Sequence, residues 1–405
     1  MISFSEAYNI VMNSVVTLGC EQIDINDSLG RILANDVISD LNMPPFNKSA
    51  MDGYACRRED LTSDLNVIED IPAGFMPNKK IGPGECSKIM TGAMVPEGAD
   101  CVIIVEETEE VKDDLIHYTG NLEISKNGAI QSVKWRKGNS NICHIGEDIE
   151  EGDLILQKGT VIKPKHIAVM ATVGCSNPLV AKRPKIGIIA TGSELVEPYE
   201  NVSGPQIRNS NSYQLSAQVK TSCGIPNYYG IAVDTEEAIF NAIDKAMDEN
   251  DIVLISGGVS MGDYDFVPGC LKKNGVNILF DRVAIQPGKP ITFGTSERAV
   301  CFGMPGNPVS TFMQFELLVR PFIYNAMGND FKPTVYQMPL GENINRHKAV
   351  RESVMPVELR EGKVYLLEYH GSAHINAISG TDYVITIPIG VSEIKKGTVV
   401  DVRQI

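Results

Sequence analysis

Residues 251–310 contain two short apolar runs, each ending in a loop of small and polar residues. The run at 252–255 leads into GGVSMGDYD, the run at 299–302 leads into GMPGNPVS, and QPGKP lies between them. Buried strands that end in such loops are typical of open α/β sheets, where the loops meet at one sheet edge. Glycines let the backbone approach a ligand, and exposed amide N–H groups favour anions. The stretch therefore predicts an anion and metal site at the edge of a parallel sheet.

Strand and helix patterns alternate over residues 181–326, which predicts βαβ units and a mainly parallel sheet. The strand KIGIIA precedes TGSEL, and NSNSYQLSAQVKTSCG has the Asn/Ser start and the Gly stop of a helix. Asp234 and Glu237 have the spacing of a capping box before the next helix. We expect the last helix to have Pro308 in its first turn and to stop at Gly328.

The segments before this α/β region have a different pattern. Residues 1–41 predict an amphipathic helix followed by extended chain, and residues 146–180 contain a helix between Pro164 and Gly174. We expect these two segments to form a discontinuous N-terminal domain. The intervening residues 42–145 show many short β-type runs with Gly and Pro between them, which predict a β-rich insert domain.

Residues 331–405 return to β-type runs, with VELREGKVYLLEYH as a hairpin, and predict a C-terminal β-barrel. Together with the α/β domain at 181–326, these parts give a multidomain chain of the class α/β plus β. A length of 405 residues agrees with this division, because single cores seldom grow so large.

Composition excludes several classes of protein. A net charge of −15 makes nucleic acid an unlikely partner, because binding to phosphate backbones needs dense positive charge. No apolar run approaches the roughly 20 residues that span a bilayer, so no membrane association is expected. The N-terminus carries Glu6 and no basic residue, unlike a signal peptide, which predicts a cytoplasmic location. Nine cysteines without a CxxC pair predict reduced thiols.

Four carboxylates come after predicted strands: Glu194, Asp234, Asp263 and Asp265. Because the carboxyl ends of parallel strands meet at one crevice, these side chains are expected to converge. Mg²⁺ commonly bridges one or two carboxylates to substrate phosphates, so it suits such a place. The alternative is that Asp234 only caps a helix and that Asp263 only forms a turn.

The two Pro-Gly loops predict an oxyanion site. Lys289 follows a Pro-Gly turn, so its ammonium group lies beside freed backbone amides. Ser310 lies in the first turn of the helix that begins after GMPGNP. No GxxxxGK[ST] or HExxH motif occurs, which excludes a P-loop NTPase and the HExxH metalloproteases.

Long motifs give the chain a specific resemblance. PPFNKSAMDGYA, KIMTGAMVPEGADCVIIVEE, GEDI, ATGSEL, SGGVSMGDYD, QPGKPITFG and GMPGNP occur in this order. The chain thus resembles the molybdopterin molybdenumtransferase family, known as MoeA in bacteria and as the gephyrin E-domain in animals. The resemblance implies an elongated homodimer whose molybdopterin-binding α/β domain forms a cleft completed by the β-rich insert of the other subunit. It implies insertion of molybdenum from molybdate into adenylylated molybdopterin, with Mg²⁺-assisted release of AMP.

The resemblance also carries roles onto individual residues. The catalytic residues implied are Asp52, Thr91, Asp148, Glu194, Asp234 and Asp265, of which Glu194, Asp234 and Asp265 would also hold the metal. The molybdate-binding residues implied are Arg282, Gln286, Lys289, Pro290, Ser310, Arg351 and Ser372. The residues implied to bind the pterin substrate are Thr191, Gly192, Ser193, Gly257, Gly258, Ser260, Pro305, Gly306 and Asn307.

Three positions depart from the family pattern. Family members usually have Arg at the position of Cys143, and often have Lys at the positions of Arg282 and Gln286. Fewer cations beside an oxyanion weaken its binding, which motivates a non-catalytic molybdopterin carrier or a tungstate-using variant as alternatives. The resemblance further implies molybdopterin adenylyltransferase and apo-molybdoenzymes as protein partners. A scaffold role lacks support, because no partner-binding segment is visible.

Overall fold

The computed structural model describes residues 1–124, 130–133, 140–259, 265–368 and 371–405. Contacts within the chain define two compact units. The first unit contains residues 1–35, 157–167 and 177–405, and the second contains residues 36–156 and 168–176.

A six-stranded sheet forms the centre of the first unit. Its strands, in chain order, are β1 (Lys185–Thr191), β2 (Ile225–Ala232), β3 (Ile252–Ser256), β4 (Asn277–Arg282), β5 (Pro290–Thr295) and β6 (Val300–Met304). The spatial order is β2-β1-β3-β6-β5-β4. The four adjacent strands β2, β1, β3 and β6 are parallel, whereas β5 pairs antiparallel with both of its neighbours, β6 and β4. The mainly parallel sheet and the class α/β plus β are confirmed.

Seven α-helices occur among the described residues: α1 (Phe4–Asn13), α2 (Pro164–Thr172), α3 (Asn211–Thr221), α4 (Glu236–Glu249), α5 (Val267–Lys273), α6 (Pro308–Gln314) and α7 (Arg320–Ala326). A π-helical segment, Phe315–Val319, joins α6 to α7. The sequence predicted the helix from Pro308 onward as one continuous element and did not reveal the π-helical segment. The predicted helices at the N-terminus, from Pro164 and at NSNSYQ are confirmed.

The capping box expected at Asp234 is wrong. Thr235 is the N-cap of α4, and its side chain accepts a hydrogen bond from the Ala238 amide. Asp234 instead accepts a hydrogen bond from the Ser193 amide, at 2.7 Å from Oδ2. Threonine is also a favoured N-cap residue. With Thr235 at the helix start, the Asp234 carboxylate is left to bond the loop after β1.

The N-terminal helix packs into the main core of the first unit. Ala7 and Val11 of α1 are fully buried in the cluster that contains the central sheet. A capping box between Ser3 and Glu6 starts the helix. The Ile2 amide donates to the Arg282 carbonyl at 3.1 Å, which fixes the N-terminus at the edge strand β4.

The C-terminal part of the first unit is a second sheet. Its strands, in spatial order, are Ile285–Gln286, Glu352–Arg360, Tyr383–Ile387, Val399–Gln404 and Val335–Pro339, and Lys363–Leu366 also pairs with Glu352–Arg360. The last pairing confirms the predicted hairpin. Smaller elements are the pairs Cys20–Gln22 with Leu179–Ala181, Leu195–Val196 with Ile207–Arg208 and Ile344–Asn345 with Glu393–Ile394, and the 3₁₀ turns Ile25–Asp27 and Ile375–Gly380.

The second unit is built on β-strands. Its six-stranded sheet has the spatial order Cys101–Ile104, Gly53–Cys56, Glu85–Ile89, Leu65–Ile71, Leu115–Tyr118 and Thr108–Lys112. Three two-stranded pairs are Lys48–Ser49 with Ile142–Cys143, Val37–Ile38 with Leu154–Leu156 and Leu122–Ile124 with Ile130–Val133, and short 3₁₀ turns lie at Arg58–Asp60 and Val105–Glu107. The exact borders of the four predicted domains stay a prediction.

All nine cysteines are free thiols, as the sequence predicted. Within the residue ranges that the structure describes, no helix combines the length and the apolar character needed to cross a bilayer.

Candidate active site

Three of the predicted carboxylates follow three neighbouring strands along the chain. Glu194 comes after β1, Asp234 after β2 and Asp265 after β3, and these strands lie side by side in the order β2-β1-β3. All three residues line one cleft at the carboxyl edge of the sheet. Because these three strands are parallel neighbours, their carboxyl ends bring the three acids together on one half of this edge. Asp263 lies outside the described residues.

The loop after β1 turns tightly at Gly192, two residues before Glu194. Gly192 has a φ of +147°, and a Cβ at this position would lie 2.6 Å from Glu194 Oε2. L side chains rarely adopt this φ, and a Cβ would also push the Glu194 carboxylate aside, so the turn favours glycine. The next amide, that of Ser193, donates to Asp234 and ties the two acidic loops together.

The Pro-Gly loops lie at the other half of the same edge. Pro305 and Gly306 come after β6, and Lys289 immediately precedes β5. Because β5 runs antiparallel to β6, with Thr292 opposite Gly303, the start of β5 and the end of β6 share one edge. Lys289 and the 305–307 loop therefore face the same cleft as the acids, and both line it.

Residues of the C-terminal part complete this side of the cleft. Arg351 donates from Nη2 to Gln286 Oε1 at 3.3 Å. Asn307 Nδ2 donates to Ser372 Oγ at 2.9 Å, and the Val309 amide donates to the Ser372 carbonyl at 3.1 Å. The neutral Gln286 thus holds an arginine, which a lysine at this position would repel.

The cleft has a volume of about 870 Å³, which is within the usual range for a small-molecule site. Sixteen of the predicted residues line it: Thr191, Gly192, Glu194, Asp234, Gly257, Gly258, Asp265, Gln286, Lys289, Pro290, Pro305, Gly306, Asn307, Ser310, Arg351 and Ser372. Ser193 and Arg282 are not among its lining residues. Ser260 lies outside the described residues.

Asp52, Thr91 and Asp148 belong to the second unit. Asp52 Oδ1 accepts two hydrogen bonds from Thr91, from the amide at 2.6 Å and from the hydroxyl at 2.8 Å. Both bonds lower the pKa of the exposed Asp52 carboxyl below its ordinary value, and the bond from the amide has the larger effect. Asp148 is exposed, and its amide donates to the Met43 carbonyl. Cys143 lies opposite Lys48 in a short antiparallel pair.

In the described parts of the chain, no three carboxylate, imidazole or thiol side chains are close enough to hold a metal ion on their own. Magnesium rarely uses such an all-protein cage, because it keeps several waters and shares substrate phosphates. The three separated carboxylates of the cleft suit that mode of binding.

Sequence reasoning missed several lining residues. Arg208, Asn209 and Asn211 line the cleft beside the predicted set, and so does Gly288. The only signal for Asn211 was its place at the start of a helix. Arg208 stands in the stretch QIRNSN, which carries no recognisable motif, so its cation could not have been assigned to the site.

The sheet and its cleft define an α/β protein with a cleft of small-molecule size between acidic loops and Pro-Gly loops. Three family models match the chain in order. The MoeA N-terminal region (domain I and II) matches residues 2–174, the probable molybdopterin binding domain matches residues 187–325, and the MoeA C-terminal region (domain IV) matches residues 337–405.

Curated relatives match most or nearly all of the chain. A molybdopterin molybdenumtransferase of Staphylococcus epidermidis is 33% identical over 412 residues, covering 99% of this chain and 95% of the relative. One of Bacillus subtilis is 36% identical over 319 residues, covering 76% of this chain and 71% of the relative. A crystal structure of the molybdopterin biosynthesis MoeA protein from Pyrococcus horikoshii OT3 has a TM-score of 0.84 at 28% identity and covers 100% of both chains.

The chain belongs to the molybdopterin molybdenumtransferase (MoeA) family. This membership confirms the predicted family, and with it an enzyme of molybdenum cofactor biosynthesis that acts by molybdenum insertion.

Proposed function

We propose that this chain takes molybdenum from molybdate and inserts it into adenylylated molybdopterin, releasing AMP with the help of Mg²⁺. The observation that carries the proposal is the division of the cleft. Three carboxylates come after β1, β2 and β3, with Arg208 beside the Glu194 loop, whereas Lys289 and two glycine loops lie at β5 and β6. Arg351 adds a cation to the second half from the C-terminal part. A molecule with a phosphate-bound cation at one end and an oxyanion at the other matches this distribution of charge.

The Pro-Gly half of the cleft suits molybdate. Molybdate is a tetrahedral dianion, for which Lys289 and Arg351 supply positive charge, and Ser310 and Ser372 supply hydroxyl groups. Gln286 orients Arg351 through its amide oxygen. Pro290 and Arg282 stay predicted members of this pocket.

The acidic half suits the phosphoanhydride of the second substrate. Glu194, Asp234 and Asp265 would hold Mg²⁺ together with phosphate oxygens, and the bound ion would neutralise charge on the leaving AMP. An oxygen of molybdate or water attacks a phosphorus of the phosphoanhydride, the bridging P–O bond breaks, and AMP leaves. The two dithiolene thiols replace oxygen ligands of molybdenum, which leave with the thiol protons as water or, for an attacking molybdate oxygen, with the phosphate, so no oxidant is needed. The chain therefore needs no nucleophilic side chain.

We further propose a cytoplasmic homodimer in which the β-rich insert of one subunit completes the cleft of the other. Asp52, Thr91 and Asp148 would then contact substrate from that insert. Molybdopterin adenylyltransferase would deliver the substrate, and apo-molybdoenzymes would receive the product.

The experiment that tests the function is AMP release from adenylylated molybdopterin by the purified chain. We expect release only when molybdate and Mg²⁺ are both present, with molybdenum left on the pterin. A parallel assay with tungstate identifies the preferred oxyanion.

The main competitor is a molybdopterin carrier, which the neutral Gln286 and Cys143 in place of family cations favour. Tight binding of the pterin without AMP release would establish the carrier. Restoring the cations with Gln286→Lys and Cys143→Arg would then be expected to produce release.

A further inference from the structure

Two buried amide side chains hold the glycine loops of the cleft from beneath. Asn211, at the start of α3, is 8% exposed, and Gln314, at the end of α6, is 0% exposed. Asn211 Nδ2 donates to the Gly306 carbonyl and to Ser256 Oγ, each at 2.8 Å. Gln314 Nε2 donates to the Gly288 carbonyl at 2.7 Å.

The orientation of both amides is set by these partners. A carbonyl oxygen only accepts hydrogen bonds, so the NH₂ group of each amide has to face the glycine carbonyl. Asn211 Oδ1 and Gln314 Oε1 are then buried without a donor among the described residues. Burying an unpaired acceptor costs free energy and is rare in native proteins. Asn211 and Gln314 each bear this cost while holding a loop of one cleft, which raises the question of their role there.

Peptide geometry supplies that role. In a trans peptide the N–H group points away from the carbonyl of the preceding residue. With the Gly306 and Gly288 carbonyls held inward, the amides of Asn307 and Lys289 point to the opposite side, where these residues line the cleft. Neither amide donates to an acceptor within the described ranges.

A third contact repeats the arrangement one residue earlier. Thr311 Oγ1 donates to the Pro305 carbonyl at 2.5 Å, so the Gly306 amide is turned outward as well. Gly306 and Asn307 are both exposed. The 305–307 loop thus presents two successive amides to the cleft, a geometry that binds anions.

We propose that Asn211 and Gln314 are positioning residues, which fix the backbone amides of Asn307 and Lys289 as donors to the bound oxyanion. This inference rests on the proposed function for the nature of that anion. Donors that are held in place before the ligand arrives bind it without the cost of reorganisation. Holding the amides in this orientation leaves their oxygens unpaired, which lowers the stability of the fold.

The first test compares Asn211→Ala with Asn274→Ala. Asn274 is a matched control, because it is 7% exposed, donates from Nδ2 to the Phe240 and Cys270 carbonyls, and also has an unpaired Oδ1. It does not line the cleft. Both variants are expected to lower the midpoint of thermal unfolding. Only Asn211→Ala is expected to weaken binding of molybdate alone to the full chain, by about tenfold, measured by calorimetry.

The second test uses Gln314→Met, which keeps the length of the side chain but removes both the donor and the unpaired oxygen. The loss of the unpaired oxygen offsets the loss of a donor to the buried Gly288 carbonyl, so we expect the midpoint of unfolding to change little while molybdate affinity falls by about tenfold. A merely structural glutamine would give the opposite result, with lower stability and unchanged affinity. That result would overturn the role of Gln314.

Two further outcomes would overturn the inference as a whole. One is equal molybdate affinity in the Asn211 and Asn274 variants, and the other is no binding of molybdate or tungstate by the unchanged chain. Failure of the proposed function is distinguishable, because it would give molybdate binding with intact variant effects but without AMP release.

Discussion

The ionisation of the Asp52 carboxyl depends on its hydrogen bonds with Thr91. Hydrogen bonds from Thr91 lower the pKa of Asp52 below its ordinary value of 3.8, and the amide bond contributes more than the hydroxyl bond. Because the folded-state pKa is the lower one, the bonds stabilise the fold above pH 3.8. This stabilisation is lost as the pH falls through the lowered value.

The change Thr91→Val should therefore raise the pKa of Asp52 without restoring its ordinary value, since the amide donor remains. Titration of ¹³C-labelled aspartate carboxyls by NMR measures the shift. Thr91→Ser retains the hydroxyl and should leave the pKa where it is. An unchanged pKa in the valine variant would show that the hydroxyl bond does not form in solution.

Lys289 is predicted to act on molybdate through its charge. Lys289→Ala should raise the molybdate concentration at half-maximal AMP release by about tenfold or more, because an ammonium group near a dianion is lost. Lys185→Ala is the matched control, since Lys185 begins β1 at the opposite edge of the same sheet. Equal molybdate saturation in the two variants would count against the assignment.

At the scale of residues, the sequence revealed which side chains stand at the end of a strand but not which ones lie beneath a loop. Glu194, Asp234 and Asp265 were predictable, because strand ends are visible in the pattern of apolar runs. Asn211 and Gln314 were not, because their partners Gly306 and Gly288 lie 95 and 26 positions away in the chain. Contacts of this kind depend on the assembled fold.

At the scale of elements, a buried ionic network holds the π-helical segment. Glu316 is 2% exposed and receives two hydrogen-bond-length contacts from Arg320, at 2.8 and 2.9 Å. Gln218 Nε2 of α3 donates to the same carboxylate at 2.6 Å. Removing the positive partner of a buried carboxylate leaves its charge uncompensated.

The change Arg320→Met should therefore destabilise the first unit by about 3 kcal/mol, measured from the midpoint of urea unfolding. Arg298→Met is the control, because Arg298 pairs with the exposed Asp244 and Asp248 and such pairs contribute less than about 1 kcal/mol. Adding Glu316→Gln to Arg320→Met should recover most of the loss. No recovery would show that the arginine acts by packing alone.

Most helices and strands of the first unit could be predicted, because their patterns and end signals are local. The spacing of Glu316 and Arg320 was visible, but their burial and the π-helical turn were not, since both depend on packing against α3. The antiparallel course of β5 also escaped prediction, because nothing in its residues distinguishes it from a parallel strand.

At the scale of the whole molecule, the proposed dimer can be tested by mixing two inactive variants, which neither variant can do alone. Asp52→Asn and Asp265→Asn should each reduce AMP release about 100-fold or more while the fold survives, because each removes a charge without changing shape. If the insert of one subunit serves the cleft of the other, mixed dimers contain one intact site.

Co-refolding the two inactive variants in equal amounts should then restore about a quarter of the unchanged activity, since half of the dimers are mixed and each has one working site. Each variant refolded with itself is the control. No recovery, despite mixed dimers detected by mass spectrometry, would show that each chain completes its own cleft.

The docking of α1 has a consequence for how the chain is made. Ile2 bonds to Arg282, about 280 residues later in the sequence, and Ala7 and Val11 are buried in the core built around the central sheet. At roughly 5 to 20 residues per second, a ribosome needs on the order of 15 to 55 s to supply that partner. Helix α1 is therefore synthesised long before it can be packed, and its apolar face stays available to chaperones until that partner has been made.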